Sequence, residues 1–157
     1  MKIFVGTDHA GFRLKERIVQ ALKKKGYEVV DKGAYEYNQK DDYPDFIIPV
    51  AREVSKDPDN AKGIILGATG EGEAMAANRF PNVRATVYYG KAPGKTDNEE
   101  SEIIKKSRQD NNANILSLGA KYLSEKEMLK AVRLWLSIPF SGEERHIRRL
   151  REIDEGR

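Results

Sequence analysis

The stretch GATGEGEAMAANR, Gly67 to Arg79, follows the apolar run KGIIL and sets three glycines and Thr69 ahead of an acid, Glu73. Glycines let backbone N–H groups come close to an oxygen, and a helix N-terminus behind them adds partial positive charge. The stretch therefore suits an anion, or the negative oxygen of a developing enolate, with the amides from Gly70 to Glu73 as donors. A tight strand-to-helix turn without a ligand would use the same glycines. Spacing excludes two nucleotide motifs. No lysine precedes a Ser or Thr at the end of the loop, and G-x-x-G-x-G after a third strand is not G-x-G-x-x-G after a first.

Two other groups could do chemistry. TDHAG sets Asp8 and His9 behind a glycine-ended apolar run. A lone histidine is usually packed or solvated, but His9 falls where a strand delivers side chains to a ligand edge, and Asp8 beside it suits hydroxyl groups. In ERHIRRL, Arg145 and Arg149 lie four apart on one helical face and flank His146, an arrangement able to clamp a phosphate. Salt bridges to Glu143, Glu144 or Glu152 are the structural alternative for these arginines.

Positioning these groups requires strands and helices in alternation. KIFVG (2–6), YEVVD (27–31), KGIILG (62–67), RATVYY (84–89) and NILSLG (114–119) read as strands. Leu14, Ile18 and Leu22 mark a first amphipathic helix that stops at Gly26. A second helix begins near Pro44, with Pro49 predicting a kink or a later start. EAMAANR (73–79) and NEESEIIKKSRQ (98–109) are the third and fourth, and SEKEMLKAVRLWL opens on a Ser124/Glu127 capping box. A last helix spans Glu143 to Asp154. The alternation predicts an α/β domain with a parallel sheet covered on both faces. Ligands of such sheets bind beyond the carboxyl ends of the strands, which selects GTDHAG, GATGEGE, the loop after the fourth strand and GAK after the fifth.

The 157 residues fit one domain, 1–157, with no repeat, low-complexity tract or linker. Without cysteine there is no disulfide framework, thiolate metal site or thiol nucleophile, and a reducing compartment fits. No run approaches the roughly 20 apolar residues of a membrane span, and the opening MKIFVG is too short for a signal core. These features predict a cytoplasmic protein with no membrane partner. Basic residues number 28 against 25 acids, and Glu143–Arg157 holds five arginines and five acids. A nucleic-acid stripe should be one-signed, so no nucleic-acid partner is expected.

Taken together, VGTDHAGFRLK, DDYPDF, GATGEGEAMAANR, NNANILSLGAK and ERHIRRL resemble, in order, the ribose-5-phosphate isomerase B family, which includes the galactose-6-phosphate isomerase subunits. The resemblance covers nearly the whole chain. It implies a single Rossmann-like three-layer α/β/α domain with a five-stranded parallel sheet and a C-terminal helix. It also implies homodimers, tetramers in some members, with each site built from both subunits. No metal and no organic cofactor is implied, and the reaction joins an aldose phosphate to a ketose phosphate through an enediolate. Carried over by position, Asp8 and His9 bind substrate, and Ala68, Thr69, Gly70, Glu71 and Gly72 form the anion-holding loop, with Thr69 assisting ring opening. Asn111 binds a sugar oxygen, and Arg145 and Arg149 reach the phosphate from the neighbouring subunit. Some members place a cysteine base where Gly67 stands here; others place a glutamate where Glu73 stands, which makes Glu73 the expected base.

Two positions depart from the family pattern. Asp110 stands where a ring-opening histidine is common; an aspartate can accept the anomeric proton but is a poor reservoir for donating one, so ring opening would either pass to His9 and Thr69 or be left to the small open-chain fraction of the sugar. Lys121 stands for an arginine that assists phosphate binding, keeping the charge and losing the bidentate fork. The leading expectation is an isomerase of ribose 5-phosphate. A hexose 6-phosphate such as allose 6-phosphate is an alternative substrate, and a non-catalytic phosphate- or nucleotide-binding regulator is an alternative function. A flavin domain would need flanking aromatics, and Tyr88 and Tyr89 read better as packing.

Overall fold

In the computed structural model, which describes residues 1–90 and 97–156, five parallel strands form one sheet of order β2-β1-β3-β5-β4. The elements run β1 (Lys2–Thr7), α1 (Phe12–Lys24), β2 (Glu28–Asp31), α2 (Pro44–Lys56), β3 (Ala61–Gly67), α3 (Glu71–Ala77), β4 (Ala85–Tyr88), α4 (Asp97–Gln109), β5 (Ile115–Gly119), α5 (Glu125–Ser137) and α6 (Glu144–Asp154). The expected loop after β4 falls largely on residues 91–96, outside the described residues.

Strand β3 is central and buried along its length, as a parallel strand covered on both faces must be. Its side chains divide with the two-residue period of a strand. Ile64 and Leu66 join Ile18 and Leu22 of α1, Ile104 of α4 and Trp135 of α5 in one core. Ile65 joins Ile47, Val50 and Val54 of α2 and Ala77 of α3 in the other. The helices thus cover both faces, giving three layers.

Helix boundaries follow local chemistry. Helix α1 ends on bonds from the Gly26 amide to the Lys23 carbonyl (2.9 Å) and from Tyr27 to Leu22 (3.2 Å). Helix α5 opens on the Ser124/Glu127 capping box read from the sequence. Helix α2 starts at Pro44, where a missing N–H costs nothing, and does not start later: it continues through Pro49, leaving the Asp45 carbonyl without its usual intrahelical donor. Helix α3 begins at Glu71 rather than Glu73, so Glu71 and Gly72 belong to its first turn and not to the loop. Among the described residues, no helix is long and apolar enough to cross a membrane.

Candidate active site

The strand order reverses at β1, whose neighbours are β2 on one side and β3 on the other. A cleft at such a switch point is where open α/β sheets take ligands. The segments following β1 and β3, TDHAG and GATGEGE, meet there. The Thr7 hydroxyl ties them together by donating to the Leu66 carbonyl at 3.0 Å. The segment after β5 closes the third side, with the Ala120 amide on the Gly67 carbonyl (2.8 Å) and the Lys121 amide on the Ala68 carbonyl (3.1 Å).

Glu73 sits in the first turn of α3 and is 5% exposed. Its carboxylate lies directly over the Cα of Gly67, where a Cβ on residue 67 would overlap it. Glycine at 67 is thus a condition for Glu73 to occupy this place. Burial raises the Glu73 pKa above the usual carboxylate range, and the negative charge of Asp8 raises it further, while the amides of Glu73 and Gly70 pull the other way. Gly70 caps the helix at φ +84°, and its carbonyl accepts the Ser117 hydroxyl at 2.6 Å. Of the amides expected as oxyanion donors, that of Glu71 is engaged by the Thr69 hydroxyl oxygen at 3.2 Å, and those of Gly70 and Glu73 face the Glu73 carboxylate, which leaves that of Gly72. Thr69 is exposed and keeps its own hydroxyl proton for a ligand.

Asp8 is buried, and its Oδ1 accepts the Ala10 amide at 3.0 Å. Burial raises its pKa as well, with the nearby Asp41 adding to the effect and the Ala10 amide and His9 opposing it. His9 Nδ1 lies 2.6 Å from Asp41 Oδ1, which also accepts the His9 backbone amide at 3.1 Å. This contact raises the His9 pKa and orients the ring so that Nε2 is the nitrogen left for a ligand. Sequence reasoning quoted Asp41 within DDYPDF and gave it no role. The available signal was its place in the loop after β2, which also ends at the ligand edge. Tyr43 was missed too: a Cβ on Gly72 would lie 3.1 Å from its hydroxyl, so Tyr43 covers the first turn of α3. Asp8, His9 and Asp41 offer ligand atoms within 4.8 Å of one another, close enough for a metal, and His9 Nδ1 is engaged with Asp41.

The remaining candidates lie elsewhere. In a parallel sheet the segment before β5 is at the amino edge, and Asp110 and Asn111 occupy it. A strand of five residues separates that edge from Gly67 by about 16 Å. Asp110 Oδ1 is 3.9 Å from Nε2 of the buried His146 on α6, and its Oδ2 is 3.7 Å from Lys106 Nζ. Leu150 of the same helix lines a cavity with Asn111 and Arg84. His146 is therefore part of the α6 packing, its Nδ1 2.8 Å from the Ser141 hydroxyl, rather than a member of an exposed clamp. Arg145 pairs with Glu143 at 2.8 Å, as the structural alternative anticipated, and Arg149 is exposed. Asp8, His9, Ala68 to Gly72, Glu73 and Lys121 thus gather at one edge of the sheet. Asp110, Asn111, Arg145 and Arg149 gather around α6 and the other edge, and one chain does not bring the two sets together.

Known proteins are similar to this chain in sequence and in fold. Residues 3–153 match the family model described as Ribose/Galactose Isomerase. The ribose-5-phosphate isomerase B of Mycolicibacterium paratuberculosis is 35% identical over 150 residues, 96% of this chain and 87% of that protein. The probable ribose-5-phosphate isomerase B of Mycoplasma genitalium is 37% identical over 151 residues, 96% and 92% of the two chains. Among solved structures, a ribose-5-phosphate isomerase B from Mycoplasma genitalium with bound ribulose-5-phosphate superposes with a TM-score of 0.89 at 35% identity, covering 99% of this chain and 95% of that one. The Clostridium thermocellum ribose-5-phosphate isomerase B gives 0.86 at 39% identity, covering 99% and 96%.

Proposed function

Because the chain belongs to the ribose/galactose isomerase family, we propose that it is a sugar-phosphate isomerase, with ribose 5-phosphate and ribulose 5-phosphate as its substrate pair. Residues 1–157 act as one such unit in the cytoplasm. The observation that carries this reading is Glu73, a buried carboxylate set over Gly67 at the start of a helix and at the switch point of the sheet. A carboxylate with a raised pKa suits a base that must both take and return a proton.

In the open-chain aldose, Glu73 takes the proton from C2 and negative charge moves onto the C1 oxygen. Amides of the Ala68–Gly72 segment other than those of Gly70 and Glu71, with the positive end of α3, stabilise that charge. Glu73 then returns the proton to C1, while the hydroxyl proton on O2 passes to O1 and C2 becomes the ketone. Thr69 and His9 serve ring opening from this edge. Asp8 binds a sugar hydroxyl, and Lys121 faces the phosphate. Asp110, as acceptor of the anomeric proton, Asn111 and the arginines at 145 and 149 complete the site from a second copy of the chain. Their separation from Glu73 by the height of the sheet supports a homodimer with shared sites, or a tetramer built from it.

The test is exchange of the C2 proton for deuterium, followed by NMR in D₂O over a panel of pentose and hexose phosphates. Ribose 5-phosphate should exchange fastest, and Glu73→Gln should lower the rate by about 10²–10⁴-fold while substrate still binds. Near-normal turnover in Glu73→Gln would transfer the base role to Glu71. Binding without exchange for every sugar would favour a non-catalytic regulator, the reading to which Asp110 lends support.

A further inference from the structure

At the amino edge of the sheet, a cavity of about 280 Å³ is lined by Lys62, Arg108, Trp135 and Ile138, with Met1 and the exposed carboxylate residue Asp59 also in its wall. Lys62 and Arg108 are each only 7% exposed, yet neither has a carboxylate within ion-pair distance among the described residues. Lys62 Nζ donates to the carbonyls of Ala61 at 3.2 Å and Asp59 at 3.4 Å, both long bonds. Arg108 donates to the Ile138 and Ala113 carbonyls (3.1 and 2.6 Å) and to Asn112 Oδ1 (2.9 Å), and lies 5.6 Å over the Trp135 ring. Its Nη2 group has no acceptor among the described residues. Buried cations are normally matched by anions, because neutral acceptors replace only part of the lost hydration.

We propose that this cavity is a binding site for a small polyvalent oxyanion of the phosphate class, held between the Lys62 ammonium and the Arg108 guanidinium. The volume falls just below the roughly 300–1,000 Å³ of pockets for drug-sized ligands, which favours inorganic phosphate or a compact phosphomonoester over a nucleotide. The site is separate from the isomerase centre, since Lys62 and Gly67 stand at opposite ends of β3, about 16 Å apart. Burial first, and then Arg108, lowers the Lys62 pKa to about 8. Arg84 acts in the same sense, although it is paired with Asp154 at 3.2 Å, while Asp57 and Asp59 act against it. A bound anion would relieve this strain of like charge, so the site should bind best while Lys62 is protonated.

Trp135 is the single tryptophan of the chain, which gives the cavity its own reporter. Inorganic phosphate titrated at constant ionic strength should change the Trp135 fluorescence and its indole N–H resonance with saturation. Lys62→Met, which keeps the linear apolar stem, should weaken that response about ten- to a hundredfold while sugar-phosphate turnover persists. Glu73→Gln and Arg149→Ala should leave it unchanged, so loss of the isomerase reading would not imitate loss of this one. In the wild type, affinity should fall between pH 7 and pH 9 as Lys62 loses its proton. A response absent in the wild type, reproduced by chloride, or equal in Lys62→Met would overturn the proposal. Should Lys62→Met fail to fold, the wild-type pH series and the comparison of phosphate with chloride decide it.

Discussion

Glu73 and Asp8 are two buried carboxylates within each other's field, and each has its pKa raised, mainly by burial. Activity that needs ionised Glu73 should therefore fall in acid with an inflection of kcat/KM above the ordinary glutamate value. Asp8→Asn should move that inflection to lower pH by removing the neighbouring charge, whatever it does to the plateau; a pH–rate profile of the two proteins reads the shift. An unmoved inflection would mean that Asp8 is not felt at Glu73. The same shifts bear on stability. As pH rises, the unfolded chain releases these protons before the folded one does, so stability falls through that window and stays lower above it. Glu73→Gln should accordingly melt higher than wild type near neutral pH, with the gap closing below the unfolded glutamate pKa. Thermal melts at pH 4 and pH 7.5 test the sign.

The β3–α3 junction works because two glycines do different things. Gly67 has no side chain because the Glu73 carboxylate fills that space, whereas Gly70 adopts a φ of +84° that other residues resist. Gly67→Ala should push the carboxylate away and lower turnover by at least about 10²-fold. The overpacking should cost about 1–3 kcal/mol of stability. Turnover measured well below the melting temperature, alongside denaturant unfolding, separates the two effects. An active Gly67→Ala would show that Glu73 acts from another position. The start of α3 at Glu71 was hidden in the sequence for a related reason. Gly70 and Gly72 have poor intrinsic helix propensity, and what holds the turn is tertiary: Ser117 on the Gly70 carbonyl and Tyr43 against Gly72.

For the whole molecule, the proposal that sites are shared between two copies makes its own prediction. The surfaces that carry the two sets of site residues also expose apolar side chains: Met75 on α3 is 68% exposed, and Ile147 and Ile153 on α6 are exposed as well. If sites are shared, mixing Glu73→Gln with Arg149→Ala should restore activity, since a heterodimer holds one intact site. Random pairing of equal amounts makes half the dimers mixed, and full exchange should then give roughly a quarter of wild-type turnover. Initial rates after subunit exchange, confirmed by native mass spectrometry, check this. No recovery would assign the arginines and Glu73 to the same chain's site.

Periodicity and punctuation in the chain were enough to determine the strands, most helices and the loops that follow β1 and β3, because amphipathic spacing, glycine stops and the Ser124 capping box are local signals. Asp8 and His9 were legible as site candidates because they directly follow β1 at its carboxyl end, and Glu73 because it is an acid at a helix start behind a glycine-rich turn. The strand order was not legible. It arises from which strands pair, and that order alone makes β1 and β3 neighbours and brings Asp8 to Glu73. Long-range pairing likewise decided the partnership of His9 with Asp41, 32 residues away, and the burial of His146 against Asp110. The parallel sheet, finally, carried Asp110 and Asn111 to the edge opposite Glu73. A linear motif records the order of residues along the chain, while the direction of each strand decides at which end of the sheet they act.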